Sequence, residues 1–349
     1  MSTERGARPA RFSFALALAV ACAALAGCNG TTSYMDATGM AGHEEATLGW
    51  WLTGVSCFVV LFVAVAVLWG IARHWGEHNE PGASETHTER VQIRSGLSWI
   101  YVGVAVSLAI LLVTFGGTMV TLNAASHPPI EPSLVMDVTG HQWWWEIRYE
   151  DPKHPELDFV TANEVHLPVG QPVRVRLHSA DVIHSFWLPQ IAGKTDVIPG
   201  QTNEMWVEAK TPGVTRGECA EYCGMEHAFM DMPVVAESPA DFNAWAQGRR
   251  AAAPAPVTPE QQAGEVVFTR SCGACHAIAG TNALGRYGPD LTHLASRPFI
   301  GAGVLANTPG NLMRWIEHAP DVKEGTRMPE IPLDGNELRD VVAYLQTLR

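Results

Sequence analysis

Two stretches of the chain, Leu48 to Ala72 and Leu97 to Leu122, contain no charged residue. At 1.5 Å per helical residue each is long enough to cross the roughly 30 Å hydrocarbon core of a bilayer, so both are predicted as transmembrane helices. The polar segment between them holds Arg73, Arg90 and Arg94, whereas Asn29 to Thr47 holds no Lys or Arg. That asymmetry places the hairpin loop in the cytoplasm and everything after Leu122 on the outer face. A third apolar run, Phe12 to Ala26, follows Arg5, Arg8 and Arg11 and predicts an export signal over residues 1–28.

From Val135 to about Ala236 the pattern changes to short β-branched and aromatic runs separated by Pro- and Gly-containing turns, among them Val165-His166-Leu167, Val173-Arg174-Val175-Arg176-Leu177 and Met205-Trp206-Val207. Such runs predict an antiparallel sandwich or barrel over residues 131–247. Arg249 to Pro259 is rich in Ala and Pro, buries little, and is expected as an extended linker over 248–259. Beyond it the periods are helical. Leu338, Val341, Val342 and Leu345 share one face of a final helix, and 260–349 is expected to be a small all-α domain. The expected fold class is therefore multidomain: a two-helix transmembrane hairpin within 29–124, an all-β sandwich, then an all-α unit.

Composition sharpens this picture in two ways. The chain of 349 residues is 47% apolar and only 17% charged, and the apolar surplus lies in the first third, as membrane segments require. A net charge of −13 argues against non-specific nucleic-acid binding and suits either simple solubility or a partner with a basic face. Of the seven cysteines, Cys22 and Cys57 lie in apolar runs and read as small buried residues. Leu25-Ala26-Gly27-Cys28 is similar to a bacterial lipoprotein cleavage box, which would make lipidated Cys28 the mature N-terminus; ordinary signal cleavage nearby is the alternative.

The remaining cysteines form two pairs with chemical spacing. Cys219-Ala220-Glu221-Tyr222-Cys223-Gly224-Met225-Glu226-His227-Ala228-Phe229-Met230 puts two thiols, an imidazole and a thioether within twelve residues. Soft sulfur with imidazole is a donor set that suits copper, and a four-residue step lets both sulfurs reach the same pair of ions. Asp181-Val182-Ile183-His184-Ser185 supplies a further imidazole from a distant strand. Separately, His184 reads as a core histidine and the cysteines as a disulfide; the combination favours copper. The second pair, Cys272-Gly273-Ala274-Cys275-His276, is the CxxCH haem-attachment pattern, in which the thiols add to the haem vinyl groups and the following His ligates iron. A thioether is expected as the second axial ligand. Met328 has the appropriate setting, while Met313 lies in a helical run, Asn311 to Ile316, as a core position.

On these strings the chain resembles subunit II of haem–copper oxidases from the first membrane helix to about Trp245. The likeness extends to Gly140-His141-Gln142-Trp143-Trp144-Trp145 and Lys194-Thr195-Asp196-Val197-Ile198-Pro199-Gly200. The resemblance implies a cupredoxin-like domain with a mixed-valence dinuclear CuA centre. Cys219 and Cys223 would bridge it, with His184, His227, Met230 and the backbone carbonyl of Glu221 as the other ligands. It further implies that the Glu221 carboxylate reaches a magnesium ion at the border with subunit I, and that Trp143 is an exposed indole at which electrons enter. For Trp144 and Trp145, packing at the membrane interface is the competing reading. Trp144 also departs from the Tyr more usual in the family.

Residues 260–349 resemble class I cytochrome c, including Gly288-Pro289-Asp290-Leu291, whose proline in the family packs beside the residue matching His276. A His276/Met328 pair would raise the haem potential, as suits a chain ending at oxygen. Together the two resemblances suggest a caa3-type cytochrome c oxidase, with a cytochrome c fused to subunit II. A short tether raises the haem domain's effective concentration to roughly millimolar. The implied route runs from a soluble cytochrome c or a quinol–cytochrome c reductase to haem c, to CuA, then to haem a of subunit I. Oxygen reduction and proton pumping would belong to subunit I, since no histidine-bearing membrane helix is available here. The family's Glu before the Trp that opens the second membrane helix is missing, because Gly96-Leu97-Ser98 precede Trp99. The alternatives are a copper subunit of a nitric-oxide reductase and a copper-binding assembly protein that conducts no electrons. The expected location is the bacterial cell membrane, multi-pass, with both redox domains on the periplasmic face.

Overall fold

The computed structural model describes residues 30, 32–77 and 88–349; the expected signal segment and Cys28 lie outside them. Helices α1 (Met40–Glu77) and α2 (Thr88–Ser126) form the apolar hairpin. Both exceed their charge-free runs. At 38 residues α1 is about 57 Å long, well over the hydrocarbon thickness, so its polar ends extend beyond the span. Phe58, Leu61, Phe62 and Trp69 on α1, like Ile100, Leu111 and Phe115 on α2, are exposed, as side chains facing lipid are.

The outer end of the hairpin is joined firmly to the next domain. Thr38 and Gly39 donate their backbone N–H groups to the Gln190 carbonyl at 2.7 and 2.9 Å, Gly42 donates to Ile191 at 3.0 Å, and the Trp206 indole donates to Ala125 at 2.7 Å. A Cβ at Gly39 would sit 2.1 Å from the Ile191 carbonyl oxygen, so glycine is what lets the chain approach so closely.

Ten strands follow: β1 (Leu134–His141), β2 (Trp144–Glu150), β3 (Phe159–Ala162), β4 (Val165–Pro168), β5 (Val173–Ser179), β6 (His184–Leu188), β7 (Ala192–Val197), β8 (Asn203–Val207), β9 (Gly213–Cys219) and β10 (Met232–Glu237). They form a sandwich of two five-stranded sheets, ordered β3-β2-β1-β5-β8 and β4-β10-β9-β6-β7. Alternating residues face inward, and Met136, Trp145, Ile147, Leu167, Leu177, Phe186 and Leu188 fill the core. The expectation of purely antiparallel pairing is corrected at two places, because β1 runs parallel to β5 and β4 parallel to β10. The chain leaves the first sheet after β3, crosses to β4 and returns as β5, which therefore lies beside β1 in the same direction.

A helix the sequence pattern did not predict, α3 (Pro239–Arg249), closes the sandwich. Ser238 caps it, and Phe242, Trp245 and Ala246 pack on Tyr149 and Phe159. Residues 252–257 belong to no helix or strand, as expected of a linker, but its first residues are fastened to both units: Arg250 donates to the Leu157 carbonyl of the sandwich, and the Ala253 N–H donates to the Ala279 carbonyl of the last unit at 3.0 Å. The last unit comprises α4 (Pro259–Ser271), a short ribbon of β11 (Phe299–Ile300) with β12 (Leu305–Ala306), α5 (Pro309–Val322) and α6 (Gly335–Leu345). Leu338, Val341, Val342 and Leu345 of α6 are buried. Gly264 of α4 permits the helix crossing, since a Cβ there would stand 2.0 Å from the Asp340 carbonyl oxygen.

Candidate copper and haem sites

Cys219 ends β9, Cys223 follows in the turn, His227 opens a single 3-10 turn, and Met230 closes the loop. His184 begins β6, which pairs with β9, and a hydrogen bond of 2.9 Å from Ala220 N–H to the Ser185 carbonyl fixes their register. The fold thereby brings the distant imidazole to the loop. Cys219 Sγ lies 3.8 Å from Cys223 Sγ, 3.9 Å from His184 Nδ1 and 3.3 Å from the Glu221 carbonyl oxygen. Cys223 Sγ lies 3.7 Å from His227 Nδ1 and 4.0 Å from Met230 Sδ. A sulfur separation of 3.8 Å is nearly twice a disulfide bond, so the pair is a dithiol. Six donors thus converge on one centre, with His184 and Met230 wholly buried.

Their surroundings suit a metal. Hydrogen bonding to Cys223 draws the Cys219 thiol well below the usual range, against the effect of burial, and the same contact pushes Cys223 up. A metal ion would displace the proton they share. His184 turns Nε2 to Asp181 Oδ1 at 2.9 Å and keeps Nδ1 toward sulfur, the outer-shell arrangement that orients a ligating imidazole. Burial alone would lower the His184 pKa, but Asp181 and Cys219 outweigh it and leave it raised. Burial would likewise raise Asp181, yet His184 and the backbone N–H groups of Gln142 and Val182 bring it to about 2. The Glu221 side chain is exposed, and among the described residues it belongs to no group of three or more side chains placed to hold a metal ion.

The second site is a cavity of about 410 Å³ lined by Cys272, Cys275, His276 and Met328. His276 donates from Nδ1 to the Pro289 carbonyl at 2.8 Å, which leaves Nε2 for a ligand. Burial holds this imidazole below its ordinary pKa, hence neutral. Gly288 makes room for the ring, since a Cβ there would lie 2.5 Å from His276 Cε1. Met313 does not line the cavity and packs against the helical core instead. The cavity suits a bound group in one further respect, an orphaned polar atom: His141 Nε2 is buried without a hydrogen-bond partner, and His141 is part of the cavity wall.

His141 belongs to the sandwich, not to the helical unit. Gln142, Trp143, Trp144 and Asn163 join it, so the copper-loop side of the sandwich forms one wall of the cavity. Trp143 stands between the two sites: its indole donates to the Cys223 carbonyl at 3.1 Å and its ring faces the cavity. It is only 7% exposed, which corrects the expectation of an open indole; the helical unit covers it. Trp145 is a core residue of the sandwich, and Trp144 stacks on His141 with ring centroids 4.1 Å apart. Sequence reasoning missed His141 and the carboxylate of Asp181. The Asp181/His184 spacing of three residues was visible, but nothing local said that the two side chains meet.

The family description "Cytochrome C oxidase subunit II, periplasmic domain" matches residues 157–238, and "Cytochrome c" matches residues 261–349. Cytochrome c oxidase subunit 2 of Alkalihalophilus pseudofirmus is 36% identical over 256 residues, which span 72% of each chain. The chain belongs to the cytochrome c oxidase subunit 2 family. Cytochrome c oxidase subunit 2 of Bacillus subtilis is 27% identical over 261 residues, covering 69% of this chain and 72% of that one. Among solved structures, the periplasmic domain of subunit II of cytochrome oxidase from Bradyrhizobium japonicum is 32% identical, covers 35% of this chain and 96% of its own, and has a TM-score of 0.32. Membership makes this chain a subunit of an oxidoreductase complex, anchored in a membrane beside other oxidase subunits. Its two domains imply copper in the first and haem in the second.

Proposed function

We propose that the chain is the subunit through which electrons enter a caa3-type cytochrome c oxidase, received at haem c, relayed to CuA and delivered to haem a of subunit I, where oxygen is reduced and protons are pumped. The convergence of two thiols, two imidazoles, a thioether and a backbone carbonyl on one centre carries this reading. Copper would be held by His184, Cys219, the Glu221 carbonyl, Cys223, His227 and Met230. Haem c would be attached through Cys272 and Cys275, with His276 and Met328 as axial ligands. When bound, these groups supply one-electron transfer, and no substrate bond is made or broken on this chain.

The residues contribute rigidity and a dry path. Asp181 fixes the His184 ring, the sandwich core around Met230 excludes water, and Trp143 occupies the space between the sites. The Glu221 carboxylate is assigned to a magnesium ion shared with subunit I on the resemblance alone. The domain limits proposed are 1–28 for the signal with lipidated Cys28, 29–124, 131–247, 248–259 and 260–349. The membrane is the bacterial cell membrane, crossed twice, with both redox domains periplasmic.

The test is optical and EPR spectroscopy of the full chain after copper loading and haem attachment, repeated with Cys223→Ser. A near-infrared band with a mixed-valence copper signal is expected in the parent and lost in the variant, while the low-spin c-haem spectrum is kept. A haem spectrum with no mixed-valence copper in the parent overturns the assignment.

A further inference from the structure

The two periplasmic units meet along a surface that nothing in the family's chemistry requires to be closed. At its centre is Lys323, the capping residue just after α5 in the helical unit, only 2% exposed. Its ammonium donates to three backbone carbonyls at once: Trp143 at 2.9 Å and Phe229 at 2.7 Å in the copper domain, and Gly301 at 2.9 Å in its own. Phe229 precedes Met230, and Trp143 donates in turn to Cys223. One side chain therefore ties the helical unit to both sides of the copper loop.

Independent contacts surround it. The Asp231 N–H donates to the Ala302 carbonyl at 3.1 Å. Two glycines with positive φ allow the backbones to close: a Cβ at Gly303 would lie 3.0 Å from Asp231 Cβ, and one at Gly325 would lie 3.1 Å from Trp143 Cη2. Farther along, buried Glu164 of the sandwich pairs with Arg249 at 3.5 Å and with buried Arg297 of the helical unit at 3.8 Å. Arg327, beside Met328, reaches Asp181 at 3.5 Å. Net charge does not explain the match, because residues 131–250 carry eighteen Asp or Glu against nine Lys or Arg while residues 260–349 carry ten against eight. Specific placement holds the surface together.

Resting on the electron-transfer reading above, we propose that Lys323 is a positioning residue that latches the haem domain onto the copper loop, sealing Trp143 against any external donor. The physical reason is the set of carbonyls. Docking buries them away from water, and without the ammonium they would be left unsatisfied; undocked, water satisfies them. Once latched, an external cytochrome can deliver electrons only to the haem domain and not directly at Trp143.

The experiment uses the assembled oxidase with a protease site inserted in the linker at 251–257. After cleavage, retention of the haem domain on the washed complex is measured for the parent, Lys323→Met and Glu164→Gln. Lys323→Met is expected to release the domain with a docking constant weakened about a hundredfold, the size expected when charge-assisted hydrogen bonds to buried groups are lost. Glu164→Gln is expected to weaken it less. In uncut Lys323→Met enzyme, an added soluble cytochrome should reduce copper directly, which the parent does not allow. Unchanged retention in Lys323→Met, with intact haem and copper spectra, overturns the latch. Loss of the copper or haem spectrum in the parent overturns the underlying reading instead.

Discussion

Gly224 has a φ of +123° and a would-be Cβ 2.8 Å from the Trp143 ring, so the turn that carries Cys223 can press against the indole only because it lacks a side chain. The strings that hold such residues were legible because copper and haem donors cluster at short, fixed spacings in sequence. The residues that orient them were not, because their partners are remote: Lys323 meets Trp143 across 180 positions. Asp181 escaped notice for another reason: it lies only three residues from His184, but nothing in the local pattern says that the two side chains meet. In Asp181→Asn the amide oxygen still accepts from His184, but the charge is lost together with the acceptor for the Gln142 N–H. Copper affinity measured by chelator competition is expected to fall about 10- to 100-fold, the usual cost of disturbing an outer-shell partner, with the haem spectrum unchanged. Undiminished affinity would show that Asp181 does not orient the ligand.

At the scale of elements, hydropathy located both membrane helices but not their ends, because polar residues continue a helix once it leaves the hydrocarbon. The missed helix α3 has an apolar set at Phe242, Trp245 and Ala246, with spacings of three and four, inside a region dominated by strand signals. The parallel pairings depend on crossings between sheets, which no local pattern records. Helix α5 separates the two candidate methionines: Met313 lies within it and packs on the core, whereas Met328 lies in the loop beyond it and lines the cavity. Met328→Ala is expected to abolish the methionine–iron absorption of the oxidised chain and lower the haem potential. Met313→Ala is expected to keep both and lose about 2 kcal/mol of domain stability in a denaturant titration. The opposite pattern would exchange their roles.

For the molecule as a whole, the sequence predicted three units and a tether, and the structure adds that the start of the tether is fastened to both units and that the haem cavity opens onto a wall supplied by the sandwich. Charge counts alone gave no sign of this, since both halves are acidic. Docking makes the passage between the sites internal, and that is the feature to measure. In the full chain carrying both cofactors, the haem is reduced photochemically and the near-infrared band of the copper centre is followed in time. A single phase whose rate is independent of protein concentration and of added soluble cytochrome is expected. Copper reduction that quickens with protein concentration, or that waits for the soluble cytochrome, would contradict an internal path from haem to copper.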